Sequence, residues 1–104
     1  MAKTMHTIEM DFQHAKKQAE ELEQIAQNLR MLTENSFQPC LLGIAANWKG
    51  ENATAFCKKG AVVASGLQQS AVGLSQAADT LRQTAQNTYE AEKRSYELAE
   101  ARQY

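Results

Sequence analysis

Two long stretches of this chain carry apolar or small residues at alternating steps of four and three. In the first, Ile8, Phe12, Ala15, Ala19, Leu22, Ala26 and Leu29 follow one another at that spacing. In the second, Phe56, Gly60, Val63, Leu67, Ser70, Leu74, Ala77, Leu81, Thr84 and Thr88 do the same. This is the period of an α-helix with one buried seam, whereas a half-buried strand would alternate every second residue. Little interrupts either stretch, because proline occurs once and strong helix formers, chiefly Ala, Gln, Glu, Leu and Lys, dominate. A chain of 104 residues is the size of one small domain. The expectation is an all-α fold in a single domain over residues 1–104.

Two places break the pattern. Pro39 removes a backbone donor and its ring collides with the preceding turn, so Gln38 should leave the helical region and a kink or break should fall there. Asn35 or Ser36 could end one segment or cap the next, with helicity resuming through Leu41, Leu42, Ile44 and Ala45. Gly50 is the residue best able to take the positive φ that reverses a chain after a helix. Glu51 and Asn52 then offer an acceptor and a negative charge to the free N–H groups of a new helix. The predicted layout is helix 1 over about 7–46, a turn over 47–51 and helix 2 over about 52–100, an antiparallel helix-turn-helix hairpin.

A hairpin has one internal interface. Ile25 and Leu32 widen the first stripe beyond a strict seam, so the first helix should touch more than one neighbour. Two hairpins dimerising into an elongated four-helix bundle would bury the remainder, with Phe12, Leu22, Leu29, Phe56, Val63, Leu67, Leu74 and Leu81 forming the packing and dimer seams.

Other classes lose ground on composition. Lys plus Arg number 11 against 12 Asp plus Glu, which leaves no basic excess for phosphate contacts, so nucleic acid is not an expected partner. Lys3, His6, Glu9 and Asp11 interrupt the N-terminal segment, which therefore lacks the apolar core of a general secretory signal peptide. The apolar run Leu41 to Ala46 is far shorter than the roughly 20 residues of a membrane span. His6 and His14 have no metal-ligand spacing, and two parallel-sided helices give no cleft for a catalytic set. No metal, cofactor or enzymatic activity is expected. Cys40 and Cys57 fall almost symmetrically about the turn, at similar height on antiparallel helices. A disulfide between them requires both side chains to point inward; otherwise they are two free thiols.

The central segment Ile44-Ala45-Ala46-Asn47-Trp48-Lys49-Gly50-Glu51-Asn52-Ala53-Thr54-Ala55-Phe56 resembles the WXG-motif family of early secretory antigenic target proteins. Trp48 and Gly50 match the two defining positions, Ala55 and Phe56 match the start of the second helix, and the likeness extends over the whole chain through length and hairpin layout. The family also carries a Tyr-x-x-x-acidic signal near the end of its second helix. Tyr96-Glu97-Leu98-Ala99-Glu100 fits it, whereas Tyr89 is followed at that distance by Lys93. The resemblance implies a protein folded first in the cytoplasm and then secreted by a type VII secretion system, without a general secretory signal peptide. Its partners would be itself, a homologous WXG-motif protein or the helical domain of a toxin, together with the secretion ATPase. Its role would be that of a virulence or interbacterial effector partner.

In the family's antiparallel dimers Trp48 of one protomer would lie near Tyr96 of the other, so that Trp48, Gly50, Tyr96 and Glu100 make one signal. Trp48 could equally plug the end of the hairpin, and the two roles are compatible. The alternatives to a secreted binding partner are a targeting chaperone for a larger toxin and an intracellular coiled-coil structural protein. The two cysteines, and Pro39 with Leu41-Leu42 before the turn, depart from the family pattern and bring the straightness of the first helix into question.

Overall fold

A computed structural model describes residues 3–102, and among them there is no strand. Helix α1 spans Met5–Leu32, a π-helical turn over Thr33–Phe37 follows without a break, α2 spans Gln38–Asn47, and α3 spans Glu51–Arg102. The chain is thus all-helical and hairpin-like, reversing between Asn47 and Glu51. It divides into two compact units, one made of residues up to Leu22 with those from Gln76 onward, the other of Glu23–Ser75.

In the first unit α1 begins at Met5 because Thr4 caps it. The Thr7 N–H donates to Thr4 Oγ1 at 3.1 Å and the Ile8 N–H to the Thr4 carbonyl at 3.0 Å, which satisfies donors that a helix start leaves free. Ile8 and Ala19 are buried on α1, Ala78 and Ala85 on α3. Ile8 borders Ala91 to Ala99, while Phe12 and Ala15 border Leu81 to Tyr89. Earlier residues of α1 therefore meet later residues of α3, and the two segments run antiparallel.

In the second unit the buried residues are Ala26 and Thr33 on one side and Ala53, Ala64 and Ala71 on the other. Buried positions recur every seven residues, through Ala19, Ala26 and Thr33 and through Ala64, Ala71, Ala78 and Ala85. The first column belongs to the seam predicted for helix 1. The second does not: Gly60, Leu67, Leu74 and Leu81 are half-buried as expected, but their partners in the seam are Cys57, Ala64, Ala71, Ala78 and Ala85, each one residue beyond Phe56, Val63, Ser70, Ala77 and Thr84. Apolar bulk favours Phe56 and Val63 when the spacing alone is read, whereas helices that approach closely need small residues between them. Gly60 shows how close: a Cβ there would overlap the Leu41 side chain.

The π-turn explains how the chain passes Pro39. Gln38 donates its N–H to the Thr33 carbonyl, five residues back, and keeps helical angles of φ −63 and ψ −46. The expected departure of Gln38 from the helix does not occur, because a widened turn moves the Asn35 carbonyl away from the proline ring. Neither Asn35 nor Ser36 acts as a cap; α2 is preceded by Phe37 with no side-chain capping bond. The extra residue has a second effect. Steps of four and three continued from Leu29 and Thr33 would bring Ser36, Cys40, Gly43 and Asn47 to the seam. The wide turn advances the seam by one, so Phe37, Leu41 and Ile44 are half-buried while Ser36, Cys40 and Asn47 are exposed.

Thr33 is fully buried, and its hydroxyl donates to the Leu29 carbonyl at 2.8 Å. Among the described residues it is the largest side chain to be fully buried, so the core is thin. The chain exposes 7804 Å², against about 5,800 Å² for a compact monomer of its mass. The excess, about 2,000 Å², is more than twice the roughly 800 Å² that a standard protein–protein interface covers on each partner.

Candidate interaction surfaces

The turn is built by three backbone choices. The Trp48 N–H closes α2 onto the Ile44 carbonyl at 2.8 Å and Trp48 itself is extended at φ −108, ψ 134. Gly50 has φ 121, a conformation that costs a residue with a Cβ. Its carbonyl then accepts both the Thr54 N–H and the Thr54 hydroxyl, each at 3.1 Å, which starts α3. Trp48 does not plug the end of the hairpin, since 65% of it is exposed. It borders an open hollow with Ala45, Ala53, Thr54, Cys57, Lys58 and Ala61.

A second surface lies on the other flank of the same unit. Ile25 and Leu32 each precede a buried residue of the first column, Ala26 and Thr33. Val63 and Ser70 precede Ala64 and Ala71, and Phe56 precedes half-buried Cys57. In an antiparallel pair, positions just before the seam on both helices border one flank. Phe56 is 54% and Val63 51% exposed, and Ile25 and Leu32 are exposed too. The opposite flank, one residue after Leu22, Leu29, Leu67 and Leu74, carries Glu23, Arg30, Gln68 and Ser75. Thr54 and Ala61, beside Trp48, continue that row at seven-residue steps. Trp48 and the Phe56–Val63 flank therefore face different ways.

Two long stretches carry no charged side chain. From Asn35 to Trp48 and from Gly60 to Ala78 the sequence holds no Asp, Glu, Lys or Arg. Helix α2 is apolar on all sides, yet none of its residues is buried. Gly66 and Gly73 have nothing within 4 Å of where a Cβ would stand. Each weakens a helix by roughly 1 kcal/mol relative to alanine, and no contact within the chain accounts for them. Exposed large apolar residues at Ile25, Met31, Leu32, Leu42, Trp48, Phe56, Val62, Val63 and Val72 all belong to this unit. Exposed apolar residues in that density mark association.

The first unit is latched by polar and aromatic contacts that the spacing of apolar residues does not reveal. Phe12 stacks on Tyr89 with centroids 4.5 Å apart and planes 11° from parallel. The Tyr89 hydroxyl donates to Glu9 Oε1 at 2.7 Å. Lys3 reaches Asp11 at 2.9 Å and Glu92 at 3.1 Å, and the Lys16 and Lys93 ammonium groups lie over the rings of Phe12 and Tyr89. Each ammonium group is attracted to the negative face of the ring beneath it. The hydrogen bond to Glu9, followed by partial burial and the carboxylate's charge, holds the Tyr89 hydroxyl above the usual phenol pKa of 10.0.

The bond needs the phenolic proton, so its contribution is complete below pH 10 and disappears as pH rises through the higher folded value. Spectrophotometric titration should show Tyr89 ionising later than a free phenol, and Glu9→Gln should return it toward 10. An unchanged Tyr89 titration in Glu9→Gln would remove this latch from the account.

Tyr96 is half-buried and Glu100 exposed, one helical turn apart on α3. The Glu100 carboxylate also raises the Tyr96 pKa, through hydrogen bonding first and then its charge. Tyr96 borders a hollow with Lys3, Ile8, Ala91, Glu92, Ser95 and Ala99. Tyr89 is thus tied to α1, while the carboxylate that acts on the Tyr96 hydroxyl belongs to its own helix.

Of the residues expected in the seams, Phe12, Leu22, Leu29, Leu67, Leu74 and Leu81 are half-buried, whereas Phe56 and Val63 lie on the exposed flank. Cys40 and Cys57 are free thiols: Cys40 is exposed and Cys57 directs its Sγ to the Leu41 carbonyl at 3.9 Å. Among the described residues no group of side chains could hold a metal ion, and no helix is long and apolar enough to cross a membrane. Comparison with protein-family models, with curated proteins and with solved structures gives no match.

Proposed function

We propose that this chain is a non-catalytic binding protein that pairs with a second helical hairpin and is exported through a type VII secretion system. The flank of Ile25, Leu32, Phe56 and Val63 is the pairing surface, and the second hairpin is another copy, a homologous WXG-motif protein or a toxin's helical domain. Trp48, Gly50, Tyr96 and Glu100 form the export signal, read by the secretion ATPase once the pair has folded in the cytoplasm. The observation that carries this reading is the exposure of Trp48 beside the turn, on a different flank from Phe56 and Val63. A partner can cover the apolar flank and leave the tryptophan free. The resemblance around Trp48-Lys49-Gly50 and Tyr96 to Glu100 supplies the transport system, and the open glycines at 66 and 73 support close approach by another helix.

Trp48→Ala, Tyr96→Ala and Glu100→Ala should each reduce the protein in the culture medium at least tenfold while cytoplasmic levels and helical circular dichroism persist, since a truncated anchor in a small recognition site costs about 2 kcal/mol or more. Normal export of all three would rule out the signal. A targeting chaperone for a larger toxin is the second reading, favoured by the thin core. A chain that becomes stably folded only when the toxin's helical domain is added would select it.

A further inference from the structure

We propose that the π-turn holds α2 in one of two helical registers, and that oxidation of Cys40 and Cys57 to an intrachain disulfide traps the other. The residues Thr33–Phe37 contain one more residue than an α-helical turn needs. Converting that turn to α-helix rotates α2 by one residue about its axis. The seam then passes from Phe37, Leu41 and Ile44 to Ser36, Cys40 and Gly43.

The place that Cys40 would take is the present position of Leu41. Leu41 lies against Gly60, and its carbonyl accepts the Cys57 thiol at 3.9 Å. A cysteine in that place faces Cys57 across helices that approach closely, as a disulfide's Cα separation of about 4.4–6.8 Å requires. In the present register Cys40 is exposed and unbridged. The rotation is opposed by the loss of half-buried Phe37, Leu41 and Ile44 and by the return of the Asn35 carbonyl toward the Pro39 ring, so the π register holds while the thiols are reduced. No residue of α2 is fully buried, which limits the packing part of that opposition.

The oxidant is an organic disulfide. One thiolate attacks it to form a mixed disulfide and expels one thiol; the second cysteine then attacks the mixed disulfide and expels the other. Two thiols of the protein become one S–S bond, and one organic disulfide becomes two thiols. The oxidised chain turns Leu41 and Ile44 toward solvent beside the turn, so the apolar surface near Trp48 changes with redox state.

The test uses the full chain with oxidised glutathione as the oxidant, and peptide mapping by mass spectrometry without reductant. The native chain should give a Cys40–Cys57 cross-link. Deleting Asn35 together with Pro39→Ala removes the extra residue and the ring that an α-helical turn would crowd, leaves Leu41 on the seam in an ordinary α-helix and fixes Cys40 on the outside. That variant should stay folded, as circular dichroism checks, and should cross-link at least about tenfold more slowly. Equal rates in the two chains would overturn the register shift. Glutathione adducts or Cys40–Cys40 links between chains, with no intrachain bridge, would overturn the disulfide.

Discussion

Replacing Ala71 by leucine should destabilise the chain by about 3 kcal/mol, the upper part of the range for forcing extra methylenes into a closed seam. Ala71 is buried to within 1% and belongs to the column of alanines that lets α3 lie close to its neighbour. The added side chain has nowhere to go unless the helices separate, and separation loosens the packing around Ala26 and Ala64 together. In a fold whose largest fully buried side chain is a threonine, about 3 kcal/mol is a large share of the whole. Urea unfolding followed by circular dichroism measures the loss. Ala77→Leu is the control, because Ala77 is exposed and should tolerate leucine with a change within about 0.5 kcal/mol. Were Phe56, Val63, Ser70 and Ala77 the internal seam, the two substitutions would exchange their effects.

That contrast shows which parts of the fold were legible in the amino-acid sequence. On helix 1 the residues at steps of four and three are the ones that pack, because large and small apolar residues fall on one line there. On α3 the alanines and the bulky residues occupy neighbouring lines, and period alone cannot tell a close-packed column from an exposed one. Pro39 marked a disturbance, but its form depended on hydrogen-bond geometry: a wide turn absorbs the ring and carries Leu41 into the seam. Gly50 was legible because the need for positive φ is local. Trp48 left two roles open, and its exposure excludes the plugging one. The Tyr89–Phe12–Glu9 latch was invisible, since it joins residues 80 apart through a hydroxyl that no motif announces.

Val63→Asp should weaken pairing with a second hairpin by about 100-fold or more while leaving the isolated hairpin helical. Val63 is half exposed, so a carboxylate there remains solvated in the single chain and disturbs little. In the pair it would lose water on a surface with no basic side chain between Gly60 and Ala78 to meet it. An unpaired charge buried in an interface costs several kcal/mol, and each 1.4 kcal/mol is a factor of ten in Kd. Titration calorimetry against the binding hairpin, or dilution of the homodimer, gives the change. Lys58→Asp, beside Trp48, is the matched control and should leave pairing unaffected.

The most direct test is sedimentation equilibrium of the native chain at tens of micromolar, alongside its thermal unfolding. The account predicts twice the chain mass with a concentration-dependent melting temperature, or a poorly stable monomer that becomes a stable one-to-one complex when its helical partner is added. A chain that stays monomeric and still unfolds cooperatively at an ordinary mesophilic temperature would contradict it, since the exposed flank would then need no cover.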